Sequence, residues 1–354
     1  MNFQKEIKIL QEEIDKRLKK FFNKKIKETR KIFPPLVGKI ISDIGEFNLR
    51  GGKRIRPILV YYGYLAAGGK DKKAILDTSI FIELLHNYIL MHDDIIDRDE
   101  FRRGKPTIHC KYRALYKKIS KDFEHLGISA GIVAGDVTSS FGYEILAKSK
   151  FPQPLKIKAI NRLNQMLTDV FSGEVLDVFL GIEKKLSRDE IFKILEYKTA
   201  RYTIEGPLHL GAILAGADKR VFKKLLDYAI PLGIAFQIQD DILGTFGDEK
   251  KLGKPVGSDL KEGKQTLLIF KARKSANKKE KQIIEQALGN PNLTKKQLEK
   301  VREIIIKTGS LDFAKDLAKK LVSKSKMAIE KSSFPIRAKE FLINLADFII
   351  EREK

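Results

Sequence analysis

The residues Asp93-Asp94-Ile95-Ile96-Asp97 end a long apolar stretch of the chain and form its first acidic cluster. In a helix, the four-residue spacing places Asp93 and Asp97 on one face, where like charges repel each other unless a cation lies beside them. Oxygen ligands without cysteine or clustered histidine favour Mg²⁺ over Zn²⁺, and Mg²⁺ usually completes its shell with water and phosphate. A solvated acidic helix end is the simpler alternative. The apolar residues before the cluster and the basic residues after it weigh against that alternative.

A second acidic pair, Asp240-Asp241, also ends a long apolar stretch, and Gln237 precedes Asp241 by one helical turn. The segment 246–264 then combines glycines with lysines, including Lys254 and Lys264. Such a segment could fold over phosphate groups and exclude water, although an ordinary exposed loop has a similar composition. One aspartate pair is common, but two pairs in this setting predict a site that binds phosphate through metal ions.

Helical periodicity dominates the elements that must position these clusters, and no convincing strand alternation is present. We expect an all-α, single-domain bundle of about ten or more helices around a central cavity, spanning residues 1–354. Residues 1–30 read as an N-terminal amphipathic helix, and 246–264 as a mobile basic loop at the active site. The helical stretches are 5–22, a second one running to about 48, 57–67, 73–98, 127–149, 155–182, 188–204, 218–245, 265–288, 296–307, 311–331 and 337–351.

The composition narrows the function classes. Hydrophobic residues make up 43% of the 354 residues and charged residues 32%, which is typical of a folded globular protein. The net charge of +23 could serve nucleic acid, an anionic membrane surface or anionic substrates. The basic residues are spread along the chain without a finger or RNA-binding signature, so we expect no nucleic-acid partner. The lone Cys110 excludes an internal disulfide. The sequence shows no membrane-spanning run and no signal peptide, and we expect a cytoplasmic protein.

Six ordered motifs between about residues 50 and 267 together resemble those of trans-polyprenyl diphosphate synthases. They are Gly51-Gly52-Lys53-Arg54-Ile55-Arg56-Pro57; Glu83-Leu84-Leu85-His86 leading into Asp93–Asp97 and Arg102-Arg103-Gly104; Gly135-Asp136; Lys198-Thr199-Ala200; Phe236-Gln237-Ile238-Gln239-Asp240-Asp241; and Gly253-Lys254-Pro255 with Ser258-Asp259 and Gly263-Lys264. The resemblance implies that isopentenyl diphosphate condenses with allylic diphosphates of C5, C10 and C15 length. The allylic ester ionises, the isopentenyl double bond attacks, and a proton leaves.

The resemblance also assigns residues to the two diphosphates. Three Mg²⁺ ions, which Mn²⁺ could replace, would be held by the acidic clusters Asp93, Asp94, Asp97, Asp240 and Asp241, with Asp94 the weaker candidate. The allylic diphosphate would contact Arg102, Lys198, Thr199, Gln237, Lys254 and Lys264. Of these, Arg102, Lys198, Gln237 and Lys254 would act in catalysis. Isopentenyl diphosphate would bind without metal at Lys53, Arg56, His86 and Arg103. His109 also matches a family position, but capping or packing explains it equally well.

Two positions depart from the family pattern. The third acid of the second motif is replaced by Gly244, which leaves open whether Asp259 or water completes the third metal site. Glu174 stands where glutamine is more common, and we expect it to modulate the site without abolishing activity.

Tyr88 precedes Asp93 by five residues, which places it about 7–8 Å lower along a helix. By resemblance, an aromatic residue there forms the floor of the chain pocket, with Ile89 beside it, and indicates geranylgeranyl diphosphate as the main product. An ordinary core tyrosine is the alternative. Farnesyl diphosphate or a product of C25 or more are alternatives for chain length.

Two other functions share this fold and metal chemistry. A terpene cyclase needs no second diphosphate site, which counts against it here, and a non-catalytic regulatory subunit would have decayed acidic motifs. The resemblance also implies a homodimer, although the sequence does not show which face pairs.

Overall fold

The computed structural model describes residues 2–180, 185–248 and 256–351. It confirms the all-α expectation. The elements in chain order are α1 (Phe3–Ile32), α2 (Pro35–Asn48), α3 (Ile55–Ala66), α4 (Lys72–Ile96), β1 (Phe101–Arg102), β2 (Lys105–Pro106), α5 (Ile108–Tyr116), α6 (Phe123–Ala147), α7 (Gln153–Val175), the π-helical segments π1 (Leu176–Leu180) and, after α8 (Arg188–Ile194), π2 (Leu195–Glu205), then α9 (Gly206–Leu214), α10 (Lys219–Phe246), α11 (Ser258–Lys261), α12 (Leu267–Ser275), α13 (Lys278–Ala287), α14 (Lys295–Lys307), α15 (Ser310–Glu330) and α16 (Ile336–Glu351).

Helices α4 and α10 lie in the interior and carry the two acidic clusters at their C-terminal ends. Helix α4 is long and apolar enough to cross a membrane, but 72% of its apolar window is buried by the rest of the protein, as in the core helix of a globular fold. It packs chiefly on α6, whereas α10 packs on α15 and π2. Both helices are apolar on several sides because both are enclosed.

Helix α1 begins after Asn2, whose side chain caps it by accepting a hydrogen bond from the Lys5 backbone N–H at 3.0 Å. One stripe of apolar side chains, represented by Ile14 and Leu18, is fully buried. The N-terminal end of α1 is bound to α16 and α3, because Glu6 accepts hydrogen bonds from Arg337 on α16 and from Tyr62 on α3. The predicted helix at 1–30 therefore corresponds to an element that joins the two ends of the described chain.

Several predicted boundaries differ in the structure. The stretch 155–182 ends as π1, and 188–204 becomes α8 followed by the eleven-residue π2. Long π-helices are rare, and those that occur often lie at functional sites. Just after π2, Pro207 has no N–H to donate to the carbonyl of Thr203, so the regular α-helical hydrogen bond is missing there. The stretch 265–288 breaks at Asn277, which caps α13 with its side chain.

Strands were not expected, yet β1 and β2 form a short antiparallel hairpin just after the first acidic cluster. Its two central residues, Arg103 and Gly104, have φ of 53° and 73°. Positive φ at both positions is the requirement of a tight type I′ hairpin turn. Sequence periodicity missed this element because each strand has two residues. The hairpin sets the positions of Arg102 and Arg103.

The predicted loop 246–264 begins where α10 ends, at Phe246, and its described C-terminal part contains α11. Residues 249–255, which include Lys254, lie outside the described part of the chain.

Candidate active site

The second acidic cluster belongs to a hydrogen-bonded chain that joins α10 to π2. Thr199 Oγ1 donates to Gln237 Oε1 at 2.7 Å, and Gln237 Nε2 donates to Asp241 Oδ1 at 2.8 Å. Because Gln237 and Asp241 are one helical turn apart, both reach the same space. These two hydrogen bonds fix the orientation of the Asp241 carboxylate. The structure thus brings together Thr199 and Gln237, which the sequence analysis assigned to the allylic diphosphate, and Asp241, which it assigned to metal.

A cavity of about 180 Å³ opens in front of this chain. Its walls are mainly charged and polar, with three isoleucine and leucine side chains. The lining residues are Asp177, Ile191, Ile194, Leu195, Lys198, Thr199, Gln237, Asp240, Asp241, Asp259, Lys264, Gln265 and Thr266. Lysine and aspartate side chains facing one space suit a ligand that carries both phosphate and metal ions.

Lys198 reaches this cavity from π2 and contacts two carboxylates. Its Nζ lies 2.5 Å from Asp177 Oδ2 and 2.8 Å from Glu174 Oε2. Burial lowers the pKa of Lys198, but Asp177 and Glu174 raise it by more, so the net shift is upward. Lys198 is therefore a permanent cation in this site. Glu174, which differs from the family pattern, is thus in direct contact with Lys198, a predicted diphosphate ligand.

Asp259 fills the space left by Gly244. A Cβ atom on Gly244 would lie 2.8 Å from Asp259 Oδ2, which is closer than real Cβ contacts allow. The carboxylate of Asp259 therefore lies over the position where the family pattern has its third acid. Lys264 contacts Asp259 at 3.6 Å and also pairs with Glu262. Burial opposes a charge on Lys264, but these acids raise its pKa overall.

The first acidic cluster faces the same region. Burial raises the pKa of Asp93 to about 7, and Glu174 and Asp97 raise it further, while Lys198 opposes them. Burial also raises the pKa of Asp97, and Lys264 lowers it. Lys198 and Lys264 line the cavity, so their effects on Asp93 and Asp97 are those of charges that lie near the first cluster.

Asp94 points away from this shared space. It is fully buried, and its Oδ1 accepts a hydrogen bond from Arg102 Nε, while Arg102 Nη2 donates to Asp99 at 3.0 Å. Burial raises the pKa of Asp94 to about 6 against the effect of Arg102. The structure joins two residues that the sequence assigned separately, one to metal and one to diphosphate. In the described structure Asp94 and Arg102 bind each other. Their roles in binding metal and diphosphate remain predictions.

The oxygen-rich donor set fits Mg²⁺. Burial raises the pKa of Asp241 to about 8, and the nearby Asp259 carboxylate adds to this shift. Carboxylates that cannot all ionise together are stabilised by a divalent cation. The described residues contain no preformed group of three metal-binding side chains, and Mg²⁺ commonly uses only one or two carboxylates together with substrate phosphate.

A cationic cluster forms where Arg56 and His86 converge on Tyr202. The Arg56 guanidinium stacks 4.6 Å from the Tyr202 ring and donates to Thr203 Oγ1 at 2.8 Å. His86 Nδ1 lies 3.1 Å from Tyr202 Oη. Burial, together with Arg56 and Arg103, holds the pKa of His86 well below its usual range, so His86 is neutral. Among the described residues, Arg56 Nε is buried without a partner, which suits an anionic ligand.

Arg103 joins this cluster from the hairpin. Its Nη1 donates to the carbonyl of Gly51, and its guanidinium lies against Gly52 on the loop before α3. Lys53 is on the same loop, and its carbonyl accepts a hydrogen bond from Gln11 Nε2 at 2.9 Å. The structure therefore brings Arg56, His86 and Arg103 together, with Lys53 on the adjoining loop.

Arg54, between these predicted ligands, has a structural role. It is fully buried, it has φ of 51°, and it pairs with Asp15 and with Glu83. Sequence reasoning did not separate it from the neighbouring basic residues. The sequence shows Arg54 only as one more basic residue of the loop. Its burial depends on Asp15 and Glu83, which are distant in the sequence.

Tyr88 and Ile89 lie below the first acidic cluster, as predicted, and both are buried. The Tyr88 ring packs edge-on against His92, with the ring centroids 5.4 Å apart. Burial raises the pKa of Tyr88 to about 12, and Tyr143, Asp136 and Asp93 act in the same direction. Tyr88 is therefore a buried side chain near both the first acidic cluster and α6.

His109 lies apart from the cavity. It is buried at the start of α5, where Nδ1 meets Thr107 Oγ1 at 3.1 Å and Nε2 meets Cys110 Sγ at 3.3 Å. This environment matches the packing alternative. Three residues that sequence analysis did not select do contact the predicted ligands: Asp177, Tyr202 and Thr203. Their side chains gave no motif, and only packing places them.

The model of the Polyprenyl synthetase family matches residues 38–305. A geranylgeranyl diphosphate synthase of Saccharolobus solfataricus is 37% identical over 310 residues, which cover 86% of this chain and 87% of that protein. A geranylfarnesyl diphosphate synthase of Aeropyrum pernix is 32% identical over 309 residues, covering 86% and 91%. The crystal structure of a geranylgeranyl pyrophosphate synthase from Corynebacterium glutamicum, complexed with isoprenyl diphosphate and magnesium, gives a TM-score of 0.89 at 31% identity, covering 97% and 98%.

The chain belongs to the polyprenyl synthetase family, and it is a prenyltransferase. The resemblance stated from six motifs is thereby confirmed over most of the chain.

Proposed function

We propose that this enzyme condenses isopentenyl diphosphate with allylic diphosphates in a magnesium-dependent reaction, and that its main product is geranylgeranyl diphosphate. The observation that carries the proposal is the pairing of two sites. One is an acidic cavity with Lys198 and Lys264 on its walls, and the other is the cationic cluster around Arg56 and Arg103. A terpene cyclase would need only the first site.

Asp93, Asp97, Asp240 and Asp241 would hold up to three Mg²⁺ ions, which Mn²⁺ could replace, and Asp259 would complete the set beside Gly244. When bound, Mg²⁺ neutralises the charge of a departing pyrophosphate. Lys198 and Lys264 remain charged and would bind the diphosphate oxygens of the allylic substrate. Because this charge grows as the carbon–oxygen bond breaks, groups fixed around it stabilise the transition state more than the ground state.

Arg56 and Arg103 would bind the diphosphate of isopentenyl diphosphate and orient its double bond toward the allylic carbon. Neutral His86, held by Tyr202, would donate one hydrogen bond there without adding a charge. The double bond attacks the allylic cation, a carbon–carbon bond forms, and one proton leaves the isopentenyl unit. The departing pyrophosphate can accept this proton, so that no side chain has to act as the base.

The length of the product would depend on how far the growing chain can extend below Asp93. Tyr88 is buried there and would stop the growing chain. The Saccharolobus solfataricus relative is a geranylgeranyl diphosphate synthase, which favours a C20 product, while the Aeropyrum pernix relative keeps a C25 product as the second candidate.

We further infer a homodimer that pairs through α6, α7 and π1. Large apolar side chains on these elements are 37–60% exposed: Ile128, Ile132, Val133, Phe171, Val175 and Phe179. Large apolar side chains exposed on neighbouring elements are typical of a subunit interface. A single domain and a cytoplasmic location remain predictions.

The proposal is tested by incubating the full chain with labelled isopentenyl diphosphate, Mg²⁺ and each allylic starter, and resolving products by length. We expect a C20 product that requires Mg²⁺. Asp93→Asn should lower kcat/KM by about 100-fold or more, whereas Asp316→Asn on the exposed face of α15 should not change it. No elongation from any starter would contradict the proposal and favour the regulatory subunit or the cyclase.

A further inference from the structure

The outward face of α1, from the middle of the helix to its C-terminal end, carries six lysines, which we call the lysine face: Lys16, Lys19, Lys20, Lys24, Lys27 and Lys31. They lie opposite the buried stripe that contains Leu18 and Phe22. Among the described residues, only Lys24 of these six lies within 4 Å of a carboxylate oxygen, at 3.7 Å from Glu28. The positive charge of this face is therefore directed to the solvent, unlike that of Lys25, which pairs with Glu144.

An apolar tip adjoins the lysine face where α1 turns into α2. Its three large side chains are Ile32, Phe33 and Leu36, which are 74%, 53% and 49% exposed. Arg30, Lys31 and Lys39 flank the tip and are exposed as well. Exposing three neighbouring apolar side chains to water costs free energy that a partner could recover by covering them.

We propose that the lysine face and the apolar tip together dock on the surface of an anionic lipid bilayer. Basic side chains near such a surface gain free energy from the negative headgroups, and exposed aromatic and aliphatic side chains gain more by entering the headgroup region. Nucleic acid would complement the lysines, but it would leave the apolar tip uncovered. A merely solvated helix face accounts for the lysines and equally leaves the tip unexplained.

Docking would place this enzyme where its amphiphilic product dissolves, since each buried methylene of an isoprenoid chain favours the bilayer. That consequence rests on the proposed function, but the docking itself does not. Vesicle binding is measured without substrate, so a failure of the elongation assay would leave the docking proposal standing, and the reverse also holds.

The test measures co-sedimentation of the full chain with phosphatidylcholine vesicles, with and without phosphatidylglycerol. We expect binding that requires phosphatidylglycerol and weakens as NaCl is added. The triple variant K20Q/K24Q/K27Q should bind at least about tenfold more weakly. The matched triple variant K315Q/K319Q/K320Q removes the same charge from an exposed face of α15 and should bind as the wild type does.

The apolar tip is tested by Phe33→Ser, which should weaken vesicle binding several-fold without changing its dependence on salt. Equal losses in the two triple variants would overturn the proposal in favour of net charge alone. Binding of random duplex DNA in place of vesicles would overturn it in favour of nucleic acid. A change in the oligomeric mass of Phe33→Ser in light scattering would show that the tip is an interface between copies of the chain, which also overturns the proposal.

Discussion

Asp259 and Gly244 show, at the scale of single residues, how a missing acid can be replaced from another part of the chain. The Asp259 carboxylate lies in the space that a side chain at position 244 would need. The Asp259 carboxylate also raises the pKa of Asp241, so it interacts electrostatically with the second acidic cluster. The two positions are fifteen residues apart and are brought together because α11 folds back over the end of α10.

Gly244→Ala should displace the Asp259 carboxylate, because the added Cβ would lie 2.8 Å from its oxygen. We expect the Mg²⁺ concentration for half-maximal activity to rise about tenfold, and isothermal titration of Mg²⁺ with bound pyrophosphate to show a similar loss. Asp259→Asn is the matched change and should behave in the same way. An unchanged Mg²⁺ affinity in both variants would show that Asp259 does not take part in metal binding.

Asp241 should make the metal-free protein less stable as pH rises. The pKa of Asp241 is about 8 in the folded protein, against an ordinary value of 3.8. Between these two pH values the folded state holds a proton that the unfolded state has lost. Stability from this group is then present at low pH and is lost as pH rises toward about 8. Asp241→Asn should melt a few degrees higher than the wild type at pH 8, with little difference at pH 4. A constant difference at all pH values would contradict this assignment.

Tyr88→Ala should open the floor below Asp93 and lengthen the main product by at least one five-carbon unit, as resolved by chromatography of the dephosphorylated products. Tyr88 is buried and packs on His92, so its removal leaves space in line with the growing chain. Tyr88→Phe keeps the ring and should leave the product length unchanged. The same product from Tyr88→Ala and the wild type would make Tyr88 an ordinary core residue.

At the scale of elements, α1 supports the binding loop for isopentenyl diphosphate. Gln11 donates to the carbonyl of Lys53, and Asp15 pairs with the buried Arg54. The family model begins at residue 38, so these contacts come from outside the matched part of the chain. The loop has positive φ at Gly51, Gly52 and Arg54, and at Arg54, which is not glycine, this conformation costs free energy that its contacts must offset.

Gln11→Ala should therefore loosen this loop. We expect KM for isopentenyl diphosphate to rise roughly two- to tenfold, which corresponds to the loss of one hydrogen bond, while KM for the allylic substrate stays the same. Steady-state kinetics with each substrate varied in turn would measure the two effects. Glu12→Ala, at the exposed neighbouring position, is the control. A parallel rise in both KM values would indicate general destabilisation of the protein.

At the scale of the whole molecule, the exposed apolar side chains of α6 and α7 determine how copies would pair. Val133→Glu should place a charge in the proposed interface, where Val133 is 51% exposed in the isolated chain, and should reduce the mass in light scattering to that of a monomer. Ile306→Glu changes a similarly exposed residue on α14 and should leave the mass unchanged. A dimer that persists in Val133→Glu would place the interface elsewhere.

The sequence by itself determined the helical class, most helix positions and the two acidic clusters. These features depend on residues close together in the chain. The repeat of apolar residues defines a helix face, and four-residue spacing places Asp93 and Asp97 on one side of α4. The order of the motifs was enough to indicate the family and the reaction.

Only the tertiary structure decided which partners the charged residues take. Arg102 and Asp94 were assigned to different ligands and bond each other in the structure, and Arg54 looked like its neighbours but is buried between Asp15 and Glu83. Tyr202 had no sequence signal, yet it contacts both Arg56 and His86 from more than 100 residues away. Burial and pairing energies depend on distances between distant segments, and local periodicity contains no information about those distances.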